Sequence, residues 1–283
     1  MRYFFLSLFL FFCMSAGAGA QEDAAWQEMK GDHFIVSYVG DAVFAREVLR
    51  KAEYYYGRVA RDLGYTRYDN YWQWERRAKV RIFPTQASYV QATGQPSWSI
   101  GSAYYATREI LSYSGCQAFV EETLPHEIAH LIFREFVGFA SDVPLWLDEG
   151  VAQRQEPSKQ RVVDYYVWQI AQAGKLWPLR RLTQARQAEL EDPDQARTFY
   201  IEAASVVSFL IERNGADAFI EFCRQLRDGK PLDTALRFAY PSKIRSLDEL
   251  EQAWLGYVNG LRFPQEQAQR RSDRPRVLVA LPQ

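Results

Sequence analysis

The stretch Leu124-Pro125-His126-Glu127-Ile128-Ala129-His130-Leu131 decides how the chain is read. Proline is tolerated only near the start of a helix, where its missing N–H has no bond to lose. The residues after Pro125 therefore lie in an early part of a helix. At 3.6 residues per turn, His126 and His130 share one face, one above the other. Two imidazoles at that separation can converge on one ion, with bonds of about 2.0–2.1 Å. Glu127 is rotated about 100° from His126, beside such an ion and free to hold its water. Leu124, Ile128, Leu131, Ile132 and Phe136 occupy the opposite side, and Phe133 and Val137 sit near the histidine face. Such a helix is mostly buried. Buried imidazoles and a carboxylate need a partner to satisfy them, and a divalent cation is one. The chain has three histidines, and two of them form this motif.

A catalytic zinc takes three protein ligands and leaves one position for water. Downstream, Leu145-Trp146-Leu147-Asp148-Glu149-Gly150-Val151-Ala152 offers the third. Glu149 follows His130 by nineteen positions, enough for one helix to end and a second to return a carboxylate. Asp148 is the alternative ligand. A ligand histidine usually donates its second ring nitrogen to an acceptor. Asp148 and Gln153, one turn beyond Glu149, are the candidates for that part. His33 is far from the motif and reads as structural.

Outward from these blocks, the apolar periodicity divides the chain in two. Residues 33–39 alternate, with Phe34, Val36 and Tyr38 on one face, and predict a strand. Residues 42–63 predict an amphipathic helix that stops at Gly64. A second strand is expected over 79–83, with Val80 and Ile82 on one face and Pro84 closing it. Thr85 can cap a short helix running to Gly94. Residues 100–113 read as extended, with Gly101 and Gly115 as punctuation. From Phe119 onward the pattern is helical. Candidate helices cover 119–137, 146–155, 161–173, 196–213, 216–228 and 246–261, with Gly174, Gly215 and Gly229 at plausible ends. The expected organisation is a mixed α/β part over about 21–118, a helical part over about 119–263, and a polar tail over 264–283.

Residues 1–20 read as a secretory signal: Arg2, the apolar run 4–12, then Ala18-Gly19-Ala20 before Gln21. The expectation is an exported protein, periplasmic or secreted, with no stable membrane span after signal removal. Beyond the signal, Cys116 and Cys223 are the only thiols, and form either one disulfide or two buried free thiols. The 283 residues are 48% hydrophobic and 24% charged, an ordinary globular balance with ample core material. A formal net charge of -1 gives no electrostatic case for nucleic acid or an anionic membrane. Aromatic residues make up 15% of the chain, so a single tyrosine is weak evidence of function by itself.

The two blocks together resemble the gluzincins, zinc peptidases with two histidine ligands and one glutamate. Trp146-Leu147-Asp148-Glu149-Gly150-Val151-Ala152 is similar to their Trp-Leu-x-Glu-Gly block, and the His130–Glu149 spacing is similar to that of the aminopeptidase N type. The chain is most similar to the bacterial peptidase MA-like group, with the specific match over about 119–155. The resemblance implies an α+β, zincin-like catalytic domain holding one zinc ion, and a peptide or protein substrate. It implies that His126, His130 and Glu149 bind the metal and that Glu127 is the general base. It also implies a tyrosine on a later helix facing the zinc, for which Tyr200 is the candidate. The aminopeptidase N motif Gly-x-Met-Glu-Asn is absent, since no methionine follows Met29. The resemblance therefore does not extend to amino-terminal recognition of that type. In the corresponding place, Ser102, Ala103 and Tyr104 are expected to form the edge strand that pairs with substrate. The expected function is an exported zinc metallopeptidase. The alternative is a zincin-fold binding or assembly factor of the cell envelope with little or no catalysis.

Overall fold

Among the described residues, the N-terminal part comprises β1 (Gln27–Lys30), β2 (Phe34–Tyr38), α1 (Ala42–Asp62), β3 (Ala78–Phe83), α2 (Gln86–Thr93), β4 (Ser102–Tyr104) and β5 (Glu109–Tyr113). The computed structural model describes residues 25–64, 76–138, 143–160 and 162–263. The signal read over 1–20 and the tail read over 264–283 lie outside the described residues. The strands form one sheet in the order β1-β2-β3-β5-β4. The central strands β2, β3 and β5 are parallel, and β1 and β4 run antiparallel on the two edges. Val36, Val80 and Ile110 lie in register across the centre and are fully buried. The alternation that predicted two of these strands is thus the core face of the sheet.

Local chemistry sets the helix ends. Asp41 accepts from the Phe44 N–H to cap α1, and Val48, Ala52, Tyr55 and Val59 form its buried stripe. Thr85 and Ser88 cap α2 reciprocally. The extended stretch expected over 100–113 is a hairpin, with β4 and β5 joined by a turn over residues 105–108. Strand β1 was not expected, because Gln27-Glu28-Met29-Lys30 is a mainly exposed edge with no apolar alternation.

The C-terminal part is helical. A single π-helical turn (Phe119–Thr123) runs into α3 (Leu124–Val137). Then come α4 (Leu145–Arg154), α5 (Pro157–Gln160), α6 (Val163–Gln172), α7 (Leu179–Gln184), α8 (Pro193–Asn214), α9 (Ala216–Arg227), α10 (Leu232–Ala239) and α11 (Leu247–Gly260). The short helices α7 and α10 carry too few turns for periodicity to mark them. Helix α8 starts at Pro193, capped by Asp192, so Tyr200 lies two turns inside it. One apolar core runs from the sheet through α1 to α3, α4, α8 and α9. Cys116 and Cys223 are buried free thiols. The fold is α+β, a small sheet followed by a helical part.

Candidate metal centre

Helix α3 brings His126 and His130 to one face, and their Nε2 atoms lie 3.1 Å apart. Helix α4 returns Glu149 to them. Its Oε2 is 3.8 Å from His126 Nε2 and 4.0 Å from His130 Nε2. All three residues are buried. Glu149 Oε2 has no hydrogen-bond partner among the described residues. A buried carboxylate oxygen is not left bare without reason, since desolvation alone costs it several kcal/mol or more. A point equidistant from the three atoms lies roughly 2.1 Å from each, the length of a zinc bond to nitrogen or oxygen. The three donors therefore fit one divalent ion. Burial pushes the Glu149 carboxyl up despite the pull of His130 and His126. A cation between these groups removes that penalty.

The far sides of both imidazoles are held. His130 Nδ1 lies 2.8 Å from Asp148 Oδ1. Asp148 Oδ2 in turn accepts from Arg134, one bond being 3.1 Å from Nε. Burial would raise the Asp148 carboxyl, but His130 and Arg134 outweigh it and hold it below the usual carboxylate range. Asp148 thus lies at the Nδ1 side of His130, and Glu149 at the Nε2 side. His126 Nδ1 pairs with Glu156 Oε1 at 2.8 Å. Gln153, the other candidate acceptor, instead accepts from Lys159 Nζ. Lys159 also donates to Glu156 Oε1 at 2.7 Å. Against burial, Lys159 and His126 hold the Glu156 carboxyl low. Glu156 was missed in the sequence because it lies just past the end of α4, in a turn whose direction no periodicity gives. The signal that could have found it is its place seven residues, about two helical turns, after Glu149.

Helix α4 is placed by close packing and by ion pairs. A Cβ on Gly150 would lie 2.6 Å from the Ala203 carbonyl oxygen and 2.6 Å from Val207 Cγ2 of α8. Only glycine lets the two helices approach this closely. At its other end, Arg154 forms a fork with Asp62 of α1, at 2.9 and 3.1 Å, and reaches Ser208 and Glu212 of α8. The carboxylate next to Gly150 is thus held on a braced helix.

Glu127 lies on α3 between the ligands and is buried. Tyr105 comes to it from the β4–β5 turn, with its hydroxyl 3.5 Å from Glu127 Oε2. Tyr200 is buried on α8, and burial with the Glu149 charge pushes its phenol up. Ser102, Ala103 and Tyr104 are β4 itself, paired to β5 on one side and at the end of the sheet on the other. A Cβ on Gly101 would lie 2.9 Å from the Phe119 ring, so the start of this edge strand sits against the turn that leads into α3. His33 is far from these groups and pairs with Glu53 at 2.7 Å.

The family model of the peptidase MA superfamily matches residues 78–258. The chain belongs to the peptidase MA superfamily. The match runs from β3 to the last turns of α11, and so takes in α3 and α4, which carry His126, His130 and Glu149. Similar solved structures include the M1 zinc metallopeptidase from Deinococcus radiodurans at 19% identity and a TM-score of 0.43, covering 84% of this chain and 52% of that one. A mutant of that protein bound to a Tyr-Ser-Ala substrate matches at 17% identity and a TM-score of 0.45, covering 85% and 52%. The same mutant without that substrate matches at 18% and 0.43, covering 84% and 52%. The chain spans about half the length of these structures. A comparison with curated proteins gave no match.

Proposed function

We propose that this peptidase is a zinc-dependent metallopeptidase whose metal is held by His126, His130 and Glu149. The observation that carries the reading is the bare, buried Glu149 Oε2 facing two imidazole Nε2 atoms at 3.8 and 4.0 Å. Zinc, when bound, polarises the scissile carbonyl and lowers the pKa of its water toward 7. Glu127 takes the proton from the attacking water and delivers it to the leaving amine. Tyr200 donates its hydroxyl hydrogen to the oxyanion that develops on the carbonyl. Asp148 and Glu156 fix the tautomer and tilt of His130 and His126. The substrate is a peptide or protein segment, lying along β4 by main-chain hydrogen bonds to Ser102, Ala103 and Tyr104.

The reading of residues 1–20 as a secretory signal supports export, with a mature chain beginning at Gln21, a catalytic domain over 21–263 and a tail over 264–283. Mass measurement of the protein recovered from the producing cell tests that boundary. Among the described residues, no helix is long and apolar enough to cross a membrane. The decisive experiment for the chemistry is Glu127→Gln in a peptide-library digest with a chelator control. The variant is expected to retain zinc and lose hydrolysis by several orders of magnitude. Full activity in that variant, or a wild-type protein that never takes up zinc, refutes the mechanism. Zinc uptake with no cleavage of any peptide would favour the binding-factor alternative.

A further inference from the structure

Tyr105 is joined to the centre by three contacts. Its hydroxyl faces Glu127 Oε2 at 3.5 Å. The ring meets the His130 ring edge-on, with centroids 5.6 Å apart and planes at 65°. The Arg134 guanidinium lies over the ring, 4.4 Å from its centroid. Arg134 is itself fixed on Asp148, and Asp148 on His130. The ring is therefore clamped between a cation and an imidazole, in the geometry that favours both contacts. Tyr105 follows directly on Tyr104, the last residue of β4. It stands where the edge strand meets Glu127, and it is 37% exposed.

We propose that Tyr105 is a positioning residue for Glu127: its hydroxyl donates to the carboxylate and holds it aimed at the attacking water. The inference rests on the metallopeptidase reading given above. A carboxylate on a helix retains freedom about its terminal bonds, and such rotation moves its oxygens by more than a proton transfer tolerates. The phenol restrains that freedom through Oε2. Its own aim is set by Arg134 and His130, so the general base and the ligand His130 share one support. A substrate strand on β4 ends beside the same side chain.

The test is Tyr105→Phe, which keeps the ring with both its packing contacts and removes only the hydroxyl. With a fluorogenic peptide chosen from a library digest, kcat is expected to fall about tenfold while KM stays within about twofold. The second readout is the visible spectrum of the cobalt-substituted protein, which reports the surroundings of the metal-bound water. Glu127→Gln should alter that spectrum, Tyr105→Phe should alter it in the same sense by less, and the double variant should match Glu127→Gln alone. A kcat within twofold of wild type overturns the proposal. So does a spectral change from Tyr105→Phe that is as large in the Glu127→Gln background as in the wild type, since that would mean action through His130. Failure of the underlying reading looks different: no cobalt uptake, or full activity in Glu127→Gln.

Discussion

Replacing Gly150 by alanine should displace Glu149, the proposed third metal ligand, without touching it. The new methyl would lie 2.6 Å from the Ala203 carbonyl oxygen and 2.6 Å from Val207 Cγ2. Ordinary contact begins near 3.4 Å, so α4 must move from α8 by about 0.8 Å, or the side chain of Val207 must turn while the backbone contact remains. Alanine is the better helix former by about 1 kcal/mol. Overpacking costs about 1–3 kcal/mol, and a backbone carbonyl that cannot turn aside puts this case at the upper end. The net loss is about 1–2 kcal/mol, or roughly 2–8 °C in Tm for a chain of this size. Glu149 precedes Gly150 on the same helix and moves with it. Metal sites tolerate shifts of about 0.2 Å in ligand distance. Zinc affinity should therefore fall about 10–100-fold, which adds about 1.4–2.8 kcal/mol to the loss in the zinc-loaded protein. Calorimetric unfolding with and without zinc, together with chelator competition, measures both parts. Equal losses in the two forms would show that the shift does not reach Glu149. An unchanged Tm would refute the close helix contact itself.

Glu156→Ala removes the acceptor of His126 Nδ1 and should weaken zinc about 10–100-fold; unchanged affinity in chelator competition would leave Glu156 without a role at the metal. Before metal binds, burial lowers the basicity of His130, but Asp148, Glu149 and Glu127 outweigh it and push its pKa up to about 9. Zinc must displace that proton, so titration at pH 7 in buffers of different ionisation enthalpy should show release of about one proton or more, and none would refute the assignment. Glu202 is fully buried, and burial pushes its carboxyl up to about 8 from an ordinary value near 4.5, against the Trp177 N–H bond. Its protonated form stabilises the fold in full below about pH 4.5, and that contribution is lost as pH rises toward 8. Glu202→Gln should therefore gain in Tm over the wild type between pH 5 and 8; parallel Tm curves would sink this reading.

What was legible in the sequence was what rests on short-range period. His126, Glu127 and His130 lie within one turn or so of one helix, so their common face follows from 3.6 residues per turn. The strands β2 and β3 and most of the helices follow from apolar repeats in the same way. Groups joined through tertiary packing were not legible. Glu156 reaches His126 only because the chain turns after Arg154, and Tyr105 reaches Glu127 only because a β-turn folds it over α3. Gly150 was quoted as part of a block, yet its reason lies in Ala203 and Val207, more than fifty residues away. Periodicity alone did not separate Glu149, the expected third ligand, from its alternative Asp148, for the same cause. Adjacent helical positions differ by about 100°, and only the partner helix decides which one faces the imidazoles.

The use of each oxygen decides between those two acids. Asp148 Oδ2 accepts from Arg134 and its Oδ1 lies 2.8 Å from Nδ1, on the far side of the His130 ring, whereas Glu149 Oε2 faces the two Nε2 atoms at 3.8 and 4.0 Å. Charge points independently to what completes the site. Four buried carboxylates cluster there: Glu127, Asp148, Glu149 and Glu156. The cations paired with them among the described residues are Arg134 and Lys159. With both imidazoles neutral, the group is two positive charges short, and a low-dielectric interior makes such a deficit costly. A divalent cation closes it at the point where the three donor atoms converge. Without that cation, the group recovers part of the missing charge at His130, whose basicity rises against its burial because Asp148, Glu149 and Glu127 face it.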